Sequence, residues 1–287
     1  MRILITGASG TVGRFLAARL AGEGNQMIAL GRTPADDLPC DFARYDLSDT
    51  LPRLPRADAL IHCAFHHEPG KFRGGEGEDP NNFRKLNVEG TTALFQAAKA
   101  AGCRKAVFLS SRAVYGDTRR GETLVEMDEP APDSLYGEVK LAGERALEAL
   151  CDARFAGVVL RVTGVYGVPP GTNRHKWSSL FEAYRSGAEV APRCATEVHG
   201  ADLAAAVSLV LVRLERGHAV FNVSDLLLDR RDLLSFLSKD ARRHTNLPDA
   251  ATTLPGVMDT SKLRKLGWQP GGREKLKAFV KTCQAAD

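Results

Sequence analysis

Apolar positions in the first part of the chain alternate between short unbroken runs and longer stretches with a period near that of a helix. Residues 2–6 (RILIT) form a run that stops at a Gly-rich turn, which predicts a buried strand. A helical pattern then continues to about Leu20, with Phe15, Leu16 and Leu20 on one face. Further strands are predicted at Gln26–Leu30, Phe42–Tyr45, Ala59–Cys63, Ala106–Ser110 and Gly157–Val162. Helices are predicted at Asn87–Ala101 and Leu135–Leu150. A wholly apolar strand such as Ala59–Cys63 suits a parallel sheet covered on both faces, and strands alternating with helices predict a doubly wound α/β sheet. Pro34–Pro39 is too short for a full crossover helix, so that connection is abbreviated.

After Gly167 the pattern changes. Val168–Gly171 is a Pro/Gly break, followed by predicted helices at His175–Ser186 and Asp202–Arg213. A short strand fits Phe221–Val223, and Asp259–Gly267 reads as a short helix closed by Trp268 and Pro270. The polar, unpatterned stretch Asp240–Thr253 predicts a surface loop.

With 287 residues, 44% of them hydrophobic and 26% charged, the chain suffices for one large domain, or one domain and a small lobe. A net charge of +4, from 39 basic against 35 acidic residues, is too small an excess to argue for nucleic acid. Cys40, Cys63, Cys103, Cys151, Cys194 and Cys283 form no CxxC or Cys/His metal spacing and read as reduced thiols. The chain opens directly on a strand, so a cytoplasmic protein without signal peptide is expected. No apolar run approaches the ~20 residues of a membrane span.

Between the first strand and helix stands TGASGTVG, residues 6–13. Gly7 permits the tight turn, Gly10 lets backbone approach a pyrophosphate, and Gly13 lets the helix pack closely on the sheet. The helix N-terminus then faces the phosphates. An NAD reader usually ends its second strand in a carboxylate for the ribose diol. Gly31 stands there instead, with Arg32 after it. A guanidinium without a carboxylate suits a 2′-phosphate, so NADP(H) is favoured over NAD(H).

Tyr136 and Lys140 stand four residues apart on a predicted helix and share one face. A nearby ammonium favours phenolate, so such a Tyr can exchange a proton with an alcohol or carbonyl near neutral pH. Ser111 ends the fifth strand, where groups in open parallel sheets meet their ligands, and is placed to hydrogen-bond the reacting oxygen. His66 and His67 precede a Gly-rich, charged loop (Lys71–Glu78) suited to fold over a substrate. Adjacent His side chains on extended backbone point apart, so no metal site is expected. Arg174 and Trp177, with Arg112 beside Ser111, are candidate substrate contacts.

These motifs together resemble the extended short-chain dehydrogenase/reductases of the NAD-dependent epimerase/dehydratase family. The resemblance is carried by TGASGTVG at 6–13, DLSD at 46–49, IHCA at 61–64, NVEGT at 87–91, SSRAVYG at 110–116 and SLYGEVK at 134–140. It continues in LRVTGVYG at 160–167, HGADLA at 199–204, FNVS at 221–224 and KLGWQP at 265–270, and so spans nearly the whole chain. It implies a Rossmann-type doubly wound parallel sheet with a small C-terminal substrate-binding lobe. Residues 1–167 would be the dinucleotide-binding domain. Residues 168–287 would be a mixed region, with about 198–224 returning to that domain. The resemblance further implies Tyr136 as general acid/base, Lys140 on the nicotinamide ribose, and Ser111 polarising the substrate oxygen. Gly7, Ser9, Gly10, Thr11, Val12 and Gly13 would hold the pyrophosphate, and Arg32 the adenosine end. Asp46 and Leu47 would lie against adenine, and Cys63 and Ala64 along the dinucleotide. Asn87 would support the site, and Val162 and Thr163 would border the nicotinamide. Substrate contacts are expected from His66, Arg112, Arg174 and Trp177, and a homodimer through the Asn87 and Tyr136 helices.

Sugar dehydratases of this family carry Asp-Glu where Arg112 and Ala113 stand, which argues against dehydration. Sugar-nucleotide epimerases carry an Arg at Ala195, which leaves their diphosphate-binding set incomplete here. The leading expectation is an NADP(H)-dependent oxidoreductase acting on a secondary alcohol or ketone of a small polar substrate, a sugar or sugar derivative. The alternatives are a nucleotide-sugar epimerase with tightly held NAD, and a non-catalytic dinucleotide sensor. Retention of Ser111, Tyr136 and Lys140 weighs against the sensor.

Overall fold

The computed structural model describes residues 1–68, 71, 75–237 and 247–285. The chain begins β1 (Arg2–Thr6), α1 (Thr11–Gly22), β2 (Gln26–Gly31), β3 (Asp41–Arg44), β4 (Ala59–His62), α2 (Pro80–Lys85) and α3 (Thr91–Ala100). It continues β5 (Lys105–Ser111), β6 (Thr123–Leu124), α4 (Leu135–Leu150), β7 (Ala156–Val162), β8 (Gly164–Tyr166), α5 (Ser178–Arg185), β9 (Cys194–His199) and α6 (Gly200–Arg213). It ends β10 (His218–Val223), β11 (Leu226–Asp229), α7 (Arg230–Ser235), β12 (Val257–Met258), α8 (Ser261–Lys265) and α9 (Gly272–Ala285).

Seven strands form one sheet in the order β10-β7-β5-β4-β1-β2-β3, every ladder parallel. The chain winds outward from β1 to β3 and returns to place β4 beside β1. The order reverses there, opening a crevice at the carboxyl ends of β1 and β4. Successive β1 side chains point to opposite faces. Ile3 and Ile5 pack with Phe15, Leu16 and Val207 from α1 and α6, while Leu4 packs with Leu94, Phe95 and Leu147 from α3 and α4. These two apolar layers fix the sheet and with it the strand ends that build the site.

The C-terminal half serves two structures. β10 extends the main sheet by pairing with β7. β8, β9 and β11 form a separate small sheet, over which Tyr166, Trp177, Phe181 and Phe279 make a third buried cluster.

The strands of the first half and α4 lie within a residue or two of their predicted bounds. The helix expected from Asn87 differs. It starts at Pro80, capped by the Asp79 side chain accepting from Asn82 N–H, and passes through a π-helical turn at Leu86–Gly90 before α3. Gly90 causes no break there, because its missing side chain admits the Leu47 carbonyl: a Cβ would lie 2.1 Å from that oxygen. The loop expected over Asp240–Thr253 lies outside the described residues as far as 246, and residues 247–253 carry no helix or strand. Residues 72–74 of the loop expected at Lys71–Glu78 also lie outside them.

Candidate active site

The phosphate turn is built by close backbone approach. Gly7 adopts φ +66°, and a Cβ on it would lie 2.8 Å from the Ala64 nitrogen. A Cβ on Gly13 would lie 2.1 Å from the Gly7 carbonyl oxygen. Gly10 is the N-cap of α1 and supplies no side-chain hydrogen bond, so the first N–H groups of the helix have no side-chain cap. Ser9, Gly10 and Thr11 are exposed, and Val12 packs against the first apolar layer. Small residues and uncapped N–H groups at a switch point fit the pyrophosphate of a dinucleotide.

A buried relay fixes the crevice floor. Thr6 Oγ1 accepts from the N–H groups of Cys63 and Ala64, both at 3.1 Å. Its own proton therefore goes to His62 Nδ1 at 2.7 Å, and His62 Nε2–H donates to Thr91 Oγ1 at 2.9 Å. Burial, with help from the Lys140 charge, lowers the His62 pKa to about 3 and keeps the ring neutral. Burial likewise pushes the Cys63 thiol up to about 12.

On the far side of β1, β2 closes with Gly31 and is followed by exposed Arg32. The Asp46 carboxylate accepts from the N–H and hydroxyl of Ser48, which with Arg32 and Arg44 nearby lowers its pKa. Arg32 and Arg44 are the guanidiniums nearest the Asp46 carboxylate, and the last residue of β2 is Gly31 rather than a carboxylate. Leu47 is half-buried against the second apolar layer.

The catalytic candidates converge where β5 meets α4. Ser111 is the last residue of β5, and its Oγ accepts from Ala113 N–H at 3.1 Å, capping a 3-10 turn over Arg112–Tyr115. α4 presses onto that turn because Gly137 has no side chain: a Cβ would lie 2.5 Å from the Ala113 carbonyl oxygen. Ser134 caps α4, placing Tyr136 in its first turn and Lys140 one turn deeper. Lys140 Nζ is buried, donates to the Leu109 carbonyl at 2.9 Å, and lies 4.6 Å from the Phe65 ring centroid and 6.0 Å from that of Tyr136. Burial lowers its pKa to about 8, against the opposing pull of Cys63 and Glu144. The Tyr136 ring meets Phe65 edge-on, with centroids 5.1 Å apart.

Asn87 sits in the π-helical turn, and its side chain bonds both backbone groups of His66. The His66 side chain itself is exposed. Val162 is buried at the end of β7, and the Thr163 hydroxyl donates to the Thr196 carbonyl at 2.6 Å. That hydroxyl is thus tied to β9, and the Thr163 N–H donates to the Val223 carbonyl at 3.2 Å.

Trp177 and Arg174, both expected at the substrate, lie in different surroundings. Trp177 is 8% exposed, stacked on Tyr166 at 5.1 Å in the third buried cluster, where its apolar area outweighs any role on the surface. Arg174 lines a cavity of about 280 Å³ with Ser9, Thr11 and Arg14, so it borders the phosphate turn. Arg112 stays beside Ser111 and pairs with Asp117 at 2.5 Å. Phe65 was not foreseen, although it directly follows the Cys63-Ala64 strand end. Nor was the buried Glu144–Arg161 pair, an i+4 acid after Lys140 and the residue before Val162. Among the described residues, no group of three or more His, Cys, Asp or Glu residues could hold a metal ion, and no helix is long and apolar enough to cross a membrane.

Residues 3–224 match the model of the NAD dependent epimerase/dehydratase family. The chain is 32% identical over 176 residues to dTDP-6-deoxy-L-talose 4-dehydrogenase (NAD(P)(+)) of Kitasatospora kifunensis, covering 58% of this chain and 53% of that protein. It is 31% identical over 165 residues to dTDP-4-dehydrorhamnose reductase of Mycolicibacterium smegmatis, covering 58% and 46%. The chain thus spans about half the length of the curated relatives it matches. The solved structure of MoeE5 with UDP-glucose and NAD superposes with a TM-score of 0.80 at 25% identity, covering 100% of both chains. With the parallel sheet, the switch-point turn and a family match running from β1 through β10, the chain belongs to the NAD-dependent epimerase/dehydratase family, enzymes of the extended short-chain dehydrogenase/reductase type.

Proposed function

We propose that this chain is an NADP(H)-preferring oxidoreductase acting on a secondary alcohol or ketone of a sugar nucleotide or related sugar derivative. The observation that carries this reading is the buried Lys140 ammonium, held by the Leu109 carbonyl one helical turn below Tyr136 at the carboxyl end of β5. A buried cation beside a phenol stabilises phenolate. Tyr136 then gives a proton to a carbonyl oxygen, or takes one from a hydroxyl, beside the Phe65 ring. Ser111 donates to the same oxygen and orients it. The residues of the phosphate turn fit a dinucleotide, which when bound supplies or accepts the hydride. Arg32, with no carboxylate at Gly31, favours a 2′-phosphate on that dinucleotide.

The sugar-nucleotide class rests on relatives named for dTDP-linked sugars and a neighbour holding UDP-glucose. The test is a screen of dTDP- and UDP-linked keto sugars with NADPH and NADH, read by nicotinamide absorbance. Oxidation of NADPH in preference to NADH supports the proposal. A second reading, a sugar-nucleotide epimerase, is favoured by the likeness to a structure holding UDP-glucose with NAD. Near-stoichiometric NAD released from the purified, denatured protein would select it.

A further inference from the structure

Residues 167–177 link β8 to α5 as a loop whose two ends are pinned together. Tyr166, the last residue of β8, stacks on Trp177, which precedes α5, with ring centroids 5.1 Å apart and both side chains buried. In between, the Thr172 N–H and hydroxyl both donate to the Pro169 carbonyl, at 3.1 and 2.8 Å, and reverse the chain. The tip of the loop rests on α1. Arg14 donates to the Pro170 carbonyl at 3.1 Å. Gly171 lies so close to the Arg14–Asp37 ion pair that a Cβ on it would stand 2.8 Å from Asp37 Oδ2 and 2.9 Å from Arg14 Nη1. The aromatic stack holds the base of the loop and the ion pair holds its tip, which together fix the path of residues 172–174.

That path brings Arg174 to the phosphate turn. The cavity of about 280 Å³ is lined by Ser9, Thr11 and Arg14 from the turn and α1, and by Pro169, Asn173 and Arg174 from the loop. Its two guanidiniums differ in what they already serve. Arg14 holds both oxygens of Asp37, through Nη1 at 2.5 Å and Nη2 at 3.3 Å, and its Nε donates to the Ser9 carbonyl at 3.1 Å. Its donors are spent on joining turn and loop. Arg174 is exposed and has no carboxylate partner among the described residues. The first N–H groups of α1, next to Ser9 and Thr11, have no side-chain cap. A guanidinium sharing a cavity with that turn supplies a second set of donors to a phosphate held there.

We propose that Arg174 is a cofactor-binding residue that holds the pyrophosphate of the dinucleotide against the turn at Ser9 and Thr11, so that the loop between β8 and α5 serves the cofactor rather than the substrate. This rests on reading the turn as the dinucleotide site, and it is independent of the choice between NADP(H) and NAD(H).

Calorimetric titration of NADP+, NAD+ and ADP-ribose into the full-length protein and its Arg174→Met and Arg174→Lys variants tests this without any substrate. All three ligands carry the pyrophosphate, and ADP-ribose lacks the nicotinamide. Arg174→Met should weaken all three by about tenfold. Arg174→Lys keeps a cation and should stay within about threefold of wild type. Unchanged dissociation constants in Arg174→Met overturn the proposal, and a raised KM for a sugar nucleotide in the same variant would then return Arg174 to the substrate. Weakening confined to NADP+ overturns it as well, by placing the residue on the 2′-phosphate. Arg174→Lys as weak as Arg174→Met overturns it by assigning the loss to the shape of the loop. Wild-type protein that binds none of the three ligands would undo the dinucleotide reading of the turn and this assignment with it, whereas wild-type binding that Arg174→Met leaves intact undoes this assignment alone.

Discussion

The Asn87 side-chain amide closes on both backbone groups of His66: Oδ1 accepts from His66 N–H at 2.8 Å and Nδ2 donates to His66 C=O at 2.9 Å. Nδ2 also donates to the Phe83 carbonyl at 3.0 Å, which ties the clamp to the helix before the π-helical turn. The segment after β4 is thereby fixed, and with it Phe65, the ring against which Tyr136 and Lys140 rest. Asn87→Ala should leave buried backbone groups unpaired and cost about 1–3 kcal/mol in stability. It should lower kcat more than it raises the KM for cofactor. Urea unfolding and steady-state kinetics measure both, and an unchanged kcat would show that the clamp does not position the site.

His62 makes the fold sensitive to acid. Its pKa is near 6.5 when unfolded and about 3 in the folded chain. Below the unfolded value the unfolded chain takes up a proton that the folded chain refuses, so stability falls as pH drops from about 6.5 toward 3. The slope is on the order of 1 kcal/mol per pH unit for one such group. His199, depressed to about 4 by burial, adds to the same window. His218, also lowered by burial, acts in the same direction, so His62→Gln should remove the share of one group, roughly 1 kcal/mol per pH unit, from the loss in unfolding free energy between pH 6.5 and 5. An unaltered pH slope in that variant would mean that His62 is not excluded from protonation.

Arg161→Met should destabilise the protein by about 3–5 kcal/mol, because it leaves the Glu144 carboxylate buried without its partner. Replacing both residues, as in Glu144→Gln/Arg161→Met, should recover most of that loss. Denaturant titration of the two variants decides. A single variant as stable as wild type would indicate that water reaches the pair.

Arg32 should decide cofactor choice. A charge-assisted hydrogen bond to phosphate contributes about 1.5–3 kcal/mol. Arg32→Ala should therefore weaken NADPH binding by roughly ten- to a hundredfold and leave NADH nearly unchanged. Fluorescence titration of the bound nicotinamide tests this. Equal weakening of both would assign Arg32 to general electrostatics, with Arg44 its partner around Asp46.

What was legible in the sequence follows from how local each signal is. α4 was readable to its ends because Ser134 caps it and its apolar face repeats regularly to Leu150. The phosphate turn was readable because its glycines answer a purely local crowding of backbone. The start of the helix before Asn87 was not, because Phe83 is the only buried residue of α2 and a π-helical turn then shifts the period. β9 escaped notice because its buried Glu197 reads as a surface residue until Lys176, 21 positions away, is seen to pair with it at 2.7 Å. Trp177 and Arg174 stand three residues apart, and the sequence offers no sign that one turns into the third cluster and the other toward Ser9. Phe65 became meaningful only when β4 and α4 were brought together.

The central claim is that Tyr136 moves the proton that accompanies hydride transfer, and Tyr136→Phe tests it most directly. The ring and its contact with Phe65 remain, and only the hydroxyl is lost. With a sugar nucleotide that wild type reduces or oxidises, kcat should fall by at least about a hundredfold, the usual scale of a general acid or base. The affinity for NADPH should stay within about twofold of wild type, since Tyr136 is not asked to hold the phosphates. Turnover near the wild-type rate in that variant would contradict the account.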